Sequence, residues 1–427
     1  MTNGRWAHRA IHSEADAIAY LRSPQAIRER CHFLLDLAIQ GDLQHFDCNL
    51  DRLEPTVEFV LELLQETYPQ GEIPFHSRWR HFDVGGIPRL SVLDNVLARA
   101  SDTDRAKAKL DLAVVSVLLD AGAGSEWTYT DPASGVSLSR SEGLAVASLV
   151  MFGNGFFSSN LNHPMQVDGA GLQQLTETSL AAWFQASAAN SLVGLSGRLE
   201  LLRRLGDVLV SSPSYFGSAP ARPGNLLDYW ISELFDEGEV GALPTLSAQT
   251  ILLSVLEGLG PIWPGRVQLG GVNLGDVWPH SALTGDTPGA TLVPFHKLSQ
   301  WLTYSLIEPL EELGWRVTDL DQLTGLAEYR NGGLFVDMGV LQPKYAGVLE
   351  RSHSPGAEVI VEWRALTLAL LDRLADRLRT RLGMTASELP LAKVLEGGTW
   401  IAGRRIARQT RADGSPPISI HSDGTVF

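Results

Sequence analysis

The sequence predicts a mainly α-helical protein with a few short strands. Apolar residues recur at three- and four-residue steps through most of the chain, which is the period of an amphipathic helix. Strand-like patterns are short, and the clearest are LSVLD at 90–94 and the tail ISIHSDGTVF at 418–427. The segments with helical period are 14–40, 52–68, 92–121, 141–153, 170–210, 225–236, 246–259, 296–313 and 358–383.

Glycine and proline interrupt these helical segments at 216–224 and again through 258–295. The first break divides the chain into an N-terminal helical part, 1–215, and a C-terminal helical part, 216–427. The second is too long to be an idle connection, and long loops often line binding sites. With 427 residues, one continuous domain with a site between the halves is the alternative.

Composition narrows the class of protein. The formal charge of −15 argues against nucleic-acid binding, which needs basic surface. No apolar run approaches the roughly 20 uncharged residues that span a bilayer, so we expect no membrane association. The polar N-terminus and only two cysteines favour a cytoplasmic protein without a disulfide framework.

Motifs for the common cofactors are missing from the sequence. It contains no phosphate loop of Walker type, no G-x-G-x-x-G, no H-E-x-x-H, no C-x-x-C and no G-x-S-x-G. The eleven histidines are scattered without metal-ligand spacing. We therefore expect neither a metal nor an organic cofactor.

The segment LAEYRNGGLFVDMGVL, residues 326–341, is the first candidate for chemistry. Thr318 and Asp321 fit a capping box, which predicts a helix from there to the glycine pair at 332–333. Glu328 would lie in its last turn, where the negative end of the helix dipole and partial burial raise the pKa of a carboxylate. This suits acid–base work, while solvated charges at Glu328 and Arg330 are the alternative.

His296 and Lys297 open another helical segment, 296–313. A cation is misplaced for the dipole at a helix start, but the free N–H groups there favour an anion such as phosphate. A solvated lysine is the alternative.

The stretch PFHSRWRHFD at 74–83 concentrates four potentially cationic residues among aromatic ones, namely His76, Arg78, Arg80 and His81. Arginine can bind phosphate through two N–H groups, and the aromatic rings would hold the side chains in place. A solvated loop anchored by Trp79 is the alternative.

Weaker candidates for substrate contacts are polar and aromatic residues in other segments. Tryptophan occurs more often in a core than at a ligand, which is the alternative for Trp127. The set comprises Trp127, Tyr129, Arg140, Glu142, Ser158, Asp276, Trp278, His280, Tyr329 and Asp337.

Six segments together resemble the uracil-catabolism protein 4 family of fungi and bacteria. They are HSRWRHF (76–82), RSEGLAVAS (140–148), EYRNGGLFVD (328–337), VIVEWRALT (359–367), LEGGTW (395–400) and SDGTVF (422–427). The resemblance implies a route in which uracil is converted to a nucleotide, whose ring is opened by a protein similar to GTP cyclohydrolase II. It implies that the present chain releases urea from a ribosylurea phosphate. A phosphoribosyltransferase-like enzyme acting on uracil, or a non-catalytic partner of the ring-opening enzyme, is the alternative.

A second resemblance is to the queuosine-salvage nucleoside hydrolases. Those enzymes carry Asp-Tyr-Arg followed by Leu-Gly-Val-Leu, with a lysine upstream, and this chain has Glu328-Tyr329-Arg330, Met338-Gly339-Val340-Leu341 and Lys297. The likeness implies a helical, DNA-glycosylase-like fold and an acid that cleaves an N-glycosidic bond. The chain departs from that pattern with Glu for Asp and with Asn-Gly-Gly for Val-Pro-Gln.

These resemblances imply roles for the candidates named above. Glu328 would stabilise positive charge on the sugar and orient the attacking water. Lys297 and Arg330, with Arg78 or Arg80, would bind the 5′-phosphate of a ribosyl substrate. The remaining carboxylates, Asp276, Asp337 or Glu142, would bind ribose hydroxyls or urea nitrogens, and His81, His280 or His296 would protonate the leaving group.

Overall fold

The fold is mainly α-helical, which confirms the prediction. The computed structural model describes residues 11–234 and 244–421. A π-helical turn, Leu395–Thr399, joins the last two helices. The helices are α1 (Glu14–Leu21), α2 (Pro24–Gln40), α3 (Leu53–Thr67), α4 (Trp79–Phe82), α5 (Arg89–Leu97), α6 (Asp102–Leu118), α7 (Arg140–Gly153), α8 (Gly169–Gln173), α9 (Glu177–Trp183), α10 (Leu195–Ser211), α11 (Pro213–Phe216), α12 (Leu226–Leu234), α13 (Ala248–Gly258), α14 (Lys297–Glu312), α15 (Tyr329–Asp337), α16 (Gly347–Glu350), α17 (Glu358–Leu382), α18 (Leu391–Val394) and α19 (Trp400–Thr410).

Short strands pair two by two at the periphery of the helices. Within the described residues, four pairs are antiparallel, β1–β10, β2–β3, β5–β6 and β7–β8, and two are parallel, β4–β9 and β11–β12. The strands are β1 (Phe46–Cys48), β2 (Thr128–Thr130), β3 (Ser137–Ser139), β4 (Thr245–Ser247), β5 (Gln268–Leu269), β6 (Val272–Asn273), β7 (Val277–Pro279), β8 (Leu292–Pro294), β9 (Arg316–Thr318), β10 (Leu341–Pro343), β11 (Ser352–His353) and β12 (Ser419–Ile420).

Three long helices, α6, α14 and α17, form the centre of the core. Each is buried on most of its circumference, as expected for helices that are apolar on several faces. α17 packs against α2, α3 and α15, and α6 packs against α14 and α7. The starts of α7, α14 and α15 are thereby held on a common rigid scaffold.

Side-chain caps divide three of the predicted helical segments. Within 14–40, Ser23 accepts a hydrogen bond from the N–H of Ala26 and starts α2 after a break. Ser101 does the same for α6 within 92–121, and Thr176 caps α9 within 170–210. The apolar period continues across such breaks, so it predicted one helix where the backbone makes two or three.

The strand predicted for LSVLD is wrong, because these residues belong to α5. Leu93 and Leu97 are buried four residues apart, whereas Val92 and Val96 are 63% and 59% exposed. One buried side in every turn is the pattern of a helix lying on the core. Five residues were too few to distinguish this period from a strand's.

The helix predicted from Thr318 to the glycine pair is also wrong. Thr318 ends β9, and Asp319 adopts a left-handed conformation with φ 58°. α15 instead starts after Glu328 and continues through Gly332 and Gly333 to Asp337. Glu328 therefore lies at the amino end of a helix and not at its carboxyl end.

The tail of the chain forms less strand than expected within the described residues. Only Ser419–Ile420 pairs there, in parallel with Ser352–His353, and 422–427 lie outside the described residues. No helix in 11–234 or 244–421 has the length and apolarity needed to cross a bilayer.

Candidate active site

A cavity of about 360 Å³ gathers side chains from both predicted halves of the chain. The N-terminal part contributes the loop before α4, the end of α6 and the start of α7. The C-terminal part contributes the starts of α14, α15 and α19 and a segment near the chain end. The side chains able to do chemistry there are His76, His81, Asp120, Arg140, Ser141, Lys297, Trp301, Glu328, Tyr329, Arg330 and Trp400.

Glu328 is the buried carboxylate of this cavity. It caps α15, and its two oxygens accept hydrogen bonds from the N–H groups of Arg330 at 2.8 Å and Asn331 at 2.5 Å. Burial raises the pKa of Glu328 above its usual value, against the opposing effect of these N–H groups and of the Lys297 charge. The raised pKa predicted from sequence is thus present, but its cause is burial and not the helix dipole.

Lys297 brings an amino group to the wall of a cavity that two carboxylates also line. As the first residue of α14, it lines the cavity near Glu328 and Asp120, and their charges raise its pKa while burial lowers it. Burial has the larger effect, so the pKa of Lys297 is below its usual value. In its protonated form, the ammonium group can bind an anionic or carbonyl group of a ligand.

Asp120 follows α6, and two neighbouring side chains hold its carboxylate in position. Arg78 lies 3.3 Å away in an ion pair, and the hydroxyl of Ser141 donates to Asp120 at 3.2 Å. Burial alone would raise the pKa of Asp120, but nearby positive charges, chiefly that of Arg78, outweigh it and the pKa is lowered. Asp120 thus supplies a second, ionised carboxylate, suited to accept hydrogen bonds from hydroxyl or amide groups.

A histidine–carboxylate pair forms another part of the wall. Nδ1 of His76 lies 2.7 Å from Oε2 of Glu396, which sits in the π-helical turn. Such turns often occur at functional sites because they displace side chains from the regular helical positions. The pair presents an imidazole of fixed orientation to the cavity.

His81 lies beside this pair but stays neutral near pH 7. Burial and the charge of Arg78 lower the pKa of His81 to about 4. Its ring packs edge-on against Trp301 and Trp400, with centroids 5.9 Å away in both cases. His81 is therefore part of an aromatic wall and is not a proton donor at neutral pH.

A second cavity of about 390 Å³, the basic pocket, adjoins the first. It is lined by Arg140, Arg330, Arg404 and Arg408, against the carboxylates Glu142 and Asp413. Ser125, Arg140, Arg330 and Asp413 line both cavities.

The arginines of the basic pocket differ in how they are held. Arg404 pairs with Glu142 at 2.7 Å, and Arg330 donates to the carbonyl of Gly414. Arg140 and Arg408 have no ion pair with any described residue. Arg140 has a left-handed φ of 56° at the start of α7, whose first N–H groups have no side-chain cap. These features favour a dianion such as a phosphate group.

Helix α19 also serves both cavities. Glu396, Trp400, Arg404 and Arg408 follow each other at four-residue steps through the π turn and α19. The guanidinium of Arg404 lies over the ring of Trp400, 4.7 Å from its centroid, as neighbours on one helix face do.

Several residues predicted from sequence line these cavities. Glu328, Tyr329, Arg330, Lys297, His81 and Arg140 line the first, and Glu142 lines the basic pocket. Burial and the charge of Glu328 raise the pKa of Tyr329, so its hydroxyl stays protonated.

Other candidates lie outside both cavities in structural roles. Arg78 is fully buried and donates to Ser116, and Arg80 pairs with Glu308 at 2.7 Å. Trp127 and Tyr129 pack in the core beside α7, and Asp337 forms a two-bond ion pair with Arg411. Ser158 is held by main-chain carbonyls in a loop.

Asp276 and its neighbours form a separate, satisfied network. Its oxygens accept two bonds from Arg364, at 2.8 and 2.7 Å, one from the indole of Trp278 and one from the N–H of Lys297. The start of α14 is therefore already occupied by a carboxylate. The adjoining cleft is about 20 Å³, room for about one water molecule.

The other two histidines predicted as acids, His280 and His296, are also buried away from the cavity. The ring of His296 lies 2.8 Å from the carbonyl of Leu21, and His280 faces Glu362 at 3.6 Å. Neither can reach a ligand bound near Glu328. Among the described residues, no cluster of three or more His, Cys, Asp or Glu side chains is arranged to hold a metal ion.

Sequence reasoning missed several residues of the site. His76, Asp120, Ser141, Trp301, Trp400, Arg404 and Arg408 line the cavities but were not chosen. Asp120 directly follows the long apolar run of α6, and the four-residue steps of α19 are readable in LEGGTWIAGRRIAR. Both signals were present in the sequence.

Comparison with known proteins agrees with the resemblance found in the sequence. A family described as "Protein of unknown function (DUF1688)" matches residues 20–427. The chain is similar to "Protein urg3" of Schizosaccharomyces pombe, with 42% identity over 428 residues, 96% of this chain and 99% of the relative. It is also similar to "Uracil catabolism protein 4" of Lachancea kluyveri, with 37% identity over 441 residues and the same two coverages.

Proposed function

The chain belongs to the DUF1688 family and is a relative of uracil catabolism protein 4, and on this premise we propose that it acts in uracil degradation. The proposed reaction is hydrolysis of the N-glycosidic bond of ribosylurea, or of its 5-phosphate, with release of urea. The observation that carries this proposal is the buried Glu328 carboxylate, facing a cavity that shares lining residues with the basic pocket. No relative's name specifies this reaction.

Cleavage of a ribosyl C–N bond develops positive charge on the sugar ring. A carboxylate beside the anomeric carbon stabilises that charge more strongly in the transition state than in the ground state. The two N–H groups that bind Glu328 hold its oxygens in fixed positions, so no reorganisation is needed during the reaction. Glu328 also accepts the proton of the attacking water in this mechanism.

The basic pocket supports a phosphorylated substrate. Arg330 is two residues from Glu328 and lines both cavities, so it marks the boundary between the sugar and its 5′-phosphate. Arg140 and Arg408, without ion pairs to described residues, are then the side chains that neutralise the phosphate. Asp120 and Lys297 remain for ribose hydroxyls and the urea carbonyl.

The test is to incubate purified protein with ribosylurea 5-phosphate and to measure urea and ribose 5-phosphate. We expect both products in equal amounts without added diphosphate or Mg²⁺. Activity that requires phosphoribosyl diphosphate and Mg²⁺ would instead indicate a phosphoribosyltransferase. Absence of turnover, together with binding to the ring-opening enzyme, would indicate a non-catalytic partner.

A further inference from the structure

Several contacts hold the His76–Glu396 pair in a fixed position at the cavity. The main-chain N–H of His76 donates to the carbonyl of Ala392 at 2.8 Å, and its Nδ1 lies 2.7 Å from Glu396. The imidazole also packs against Trp400 and Trp301, with centroids at 5.7 and 6.4 Å. These contacts fix the position and rotation of a ring that is only 4% exposed.

Glu396 keeps its charge in this buried position. Burial alone would raise its pKa, but the hydrogen bond with His76 and the charges of His76, His81 and Arg80 outweigh burial, and the pKa of Glu396 is lowered. An ionised carboxylate accepts a hydrogen bond and cannot donate one, so Nδ1 of His76 carries a proton. The nitrogen left to exchange a proton with a ligand is Nε2.

His76 and Glu328 serve the same cavity. Both side chains line the cavity of about 360 Å³, and a positive charge on His76 lowers the pKa of Glu328. A sugar bound between them would have one carboxylate and one imidazole available, which could fill the roles of base and acid that hydrolysis of a glycosidic bond uses.

Three other titratable side chains of the cavity are less suited to donate a proton to a leaving group. His81 is neutral because of burial and Arg78, and its Nδ1 is sealed without a hydrogen-bond partner among the described residues. Asp120 is ionised and held by Arg78. Tyr329 has a raised pKa, which makes its hydroxyl a poor donor.

We propose that His76 is the catalytic acid that protonates the departing urea nitrogen, and that Glu396 is a positioning residue acting through it. This rests on the proposed function. In the step, the C1′–N bond breaks, its electron pair stays on nitrogen, and that nitrogen takes the Nε2 proton of the His76 imidazolium. Water forms the new C1′–O bond and gives its proton to Glu328. Transfer of that proton back to His76 through solvent restores both groups.

The experiment compares two ribosides that differ in their need for an acid. The departing nitrogen of ribosylurea must be protonated to leave as urea, whereas 4-nitrophenolate leaves as an anion. We expect His76→Gln and Glu396→Gln to lower kcat for ribosylurea 5-phosphate by about 10²–10⁴-fold, the usual contribution of general acid catalysis. Both variants should hydrolyse 4-nitrophenyl riboside 5-phosphate within about threefold of wild type, since protonation contributes little there.

The matched control is His32→Gln. His32 also pairs with a carboxylate, Asp372 at 2.9 Å, but it lies outside both cavities. This variant should keep wild-type activity on both substrates.

The outcomes separate this inference from the proposed function. Wild-type protein that hydrolyses neither riboside refutes the proposed function, and the catalytic role of His76 with it. Wild-type turnover of ribosylurea 5-phosphate that persists in His76→Gln refutes the acid alone. Equal losses on both ribosides in folded Glu396→Gln, checked by circular dichroism, also overturn it, because a structural role does not discriminate between leaving groups.

Discussion

Replacing Glu328 by Gln should separate the stability of the protein from its activity. Gln keeps one side-chain oxygen that can cap α15, so at most one of the two hydrogen bonds from main-chain N–H groups is lost. The loss of that bond would lower the free energy of unfolding by about 1 kcal/mol. It also removes a buried carboxylate whose ionisation is unfavourable, by about 1.4 kcal/mol for each unit of raised pKa. Because these effects oppose each other, we expect the free energy of unfolding to change by less than about 1 kcal/mol at pH 7.

Turnover should respond far more strongly than stability. Loss of a preorganised charge at the reacting centre typically lowers kcat by about 10²–10³-fold, or about 2.7–4 kcal/mol. Urea release and guanidinium unfolding would be measured on the same preparations. Glu177→Gln is the control, since Glu177 is an exposed acid in the first turn of α9. Turnover near that of wild type would refute the assigned role.

The pH dependence of stability tests the raised pKa directly. The folded-state pKa of Glu328 is above its unfolded value, so its protonated form stabilises the fold at low pH and this contribution is lost as pH rises through the folded pKa. Glu328→Gln should therefore gain stability relative to wild type with increasing pH across that range. A constant difference between the two proteins would contradict a buried, perturbed carboxylate.

Three further substitutions test the surroundings of the site. Arg408→Gln should raise KM for ribosylurea 5-phosphate about tenfold and leave that for ribosylurea unchanged, whereas Arg405→Gln on the same helix changes neither. Asp120→Asn leaves the fully buried Arg78 without its ionic partner and should lower the free energy of guanidinium unfolding by about 3–5 kcal/mol; a loss under about 1 kcal/mol would contradict this. Gly403→Ala places a methyl group against a main-chain carbonyl of α15 and should cost about 1–3 kcal/mol, seen as a lower Tm.

The periodic spacing of apolar residues predicted most helices, because it indicates which side of a segment is buried. It did not locate their ends, which depend on single side chains such as Ser23, Ser101 and Glu328. The error at Glu328 had the largest effect on the description of the site. The segment's two glycines were taken as a helix stop, but Gly332 lies inside α15, where a Cβ would come within 2.7 Å of Trp363.

The candidate site was predicted only in part. Local sequence shows which side chains could take part in chemistry, but it does not show which of them are paired with an opposite charge from a distant part of the chain. Asp276 was a reasonable ligand candidate until its partner, Arg364, was placed 88 residues away. Asp337 is likewise paired with a residue 74 positions distant. His76 was noted among its basic neighbours but given no role of its own, because its carboxylate partner lies 320 residues further along the chain.

The four-residue steps along α19 place the contacts for the urea end and for the phosphate end of the proposed substrate on the same face of one helix. Each residue of an α-helix advances about 100° around the axis, so deleting one residue between Trp400 and Arg404 would turn both downstream arginines away from the basic pocket. The His76–Glu396 pair, whose carboxylate lies in the preceding π turn, would be left in place. Such a deletion should therefore uncouple recognition of the phosphate from departure of urea, whereas substitutions on the outer side of the helix should be tolerated.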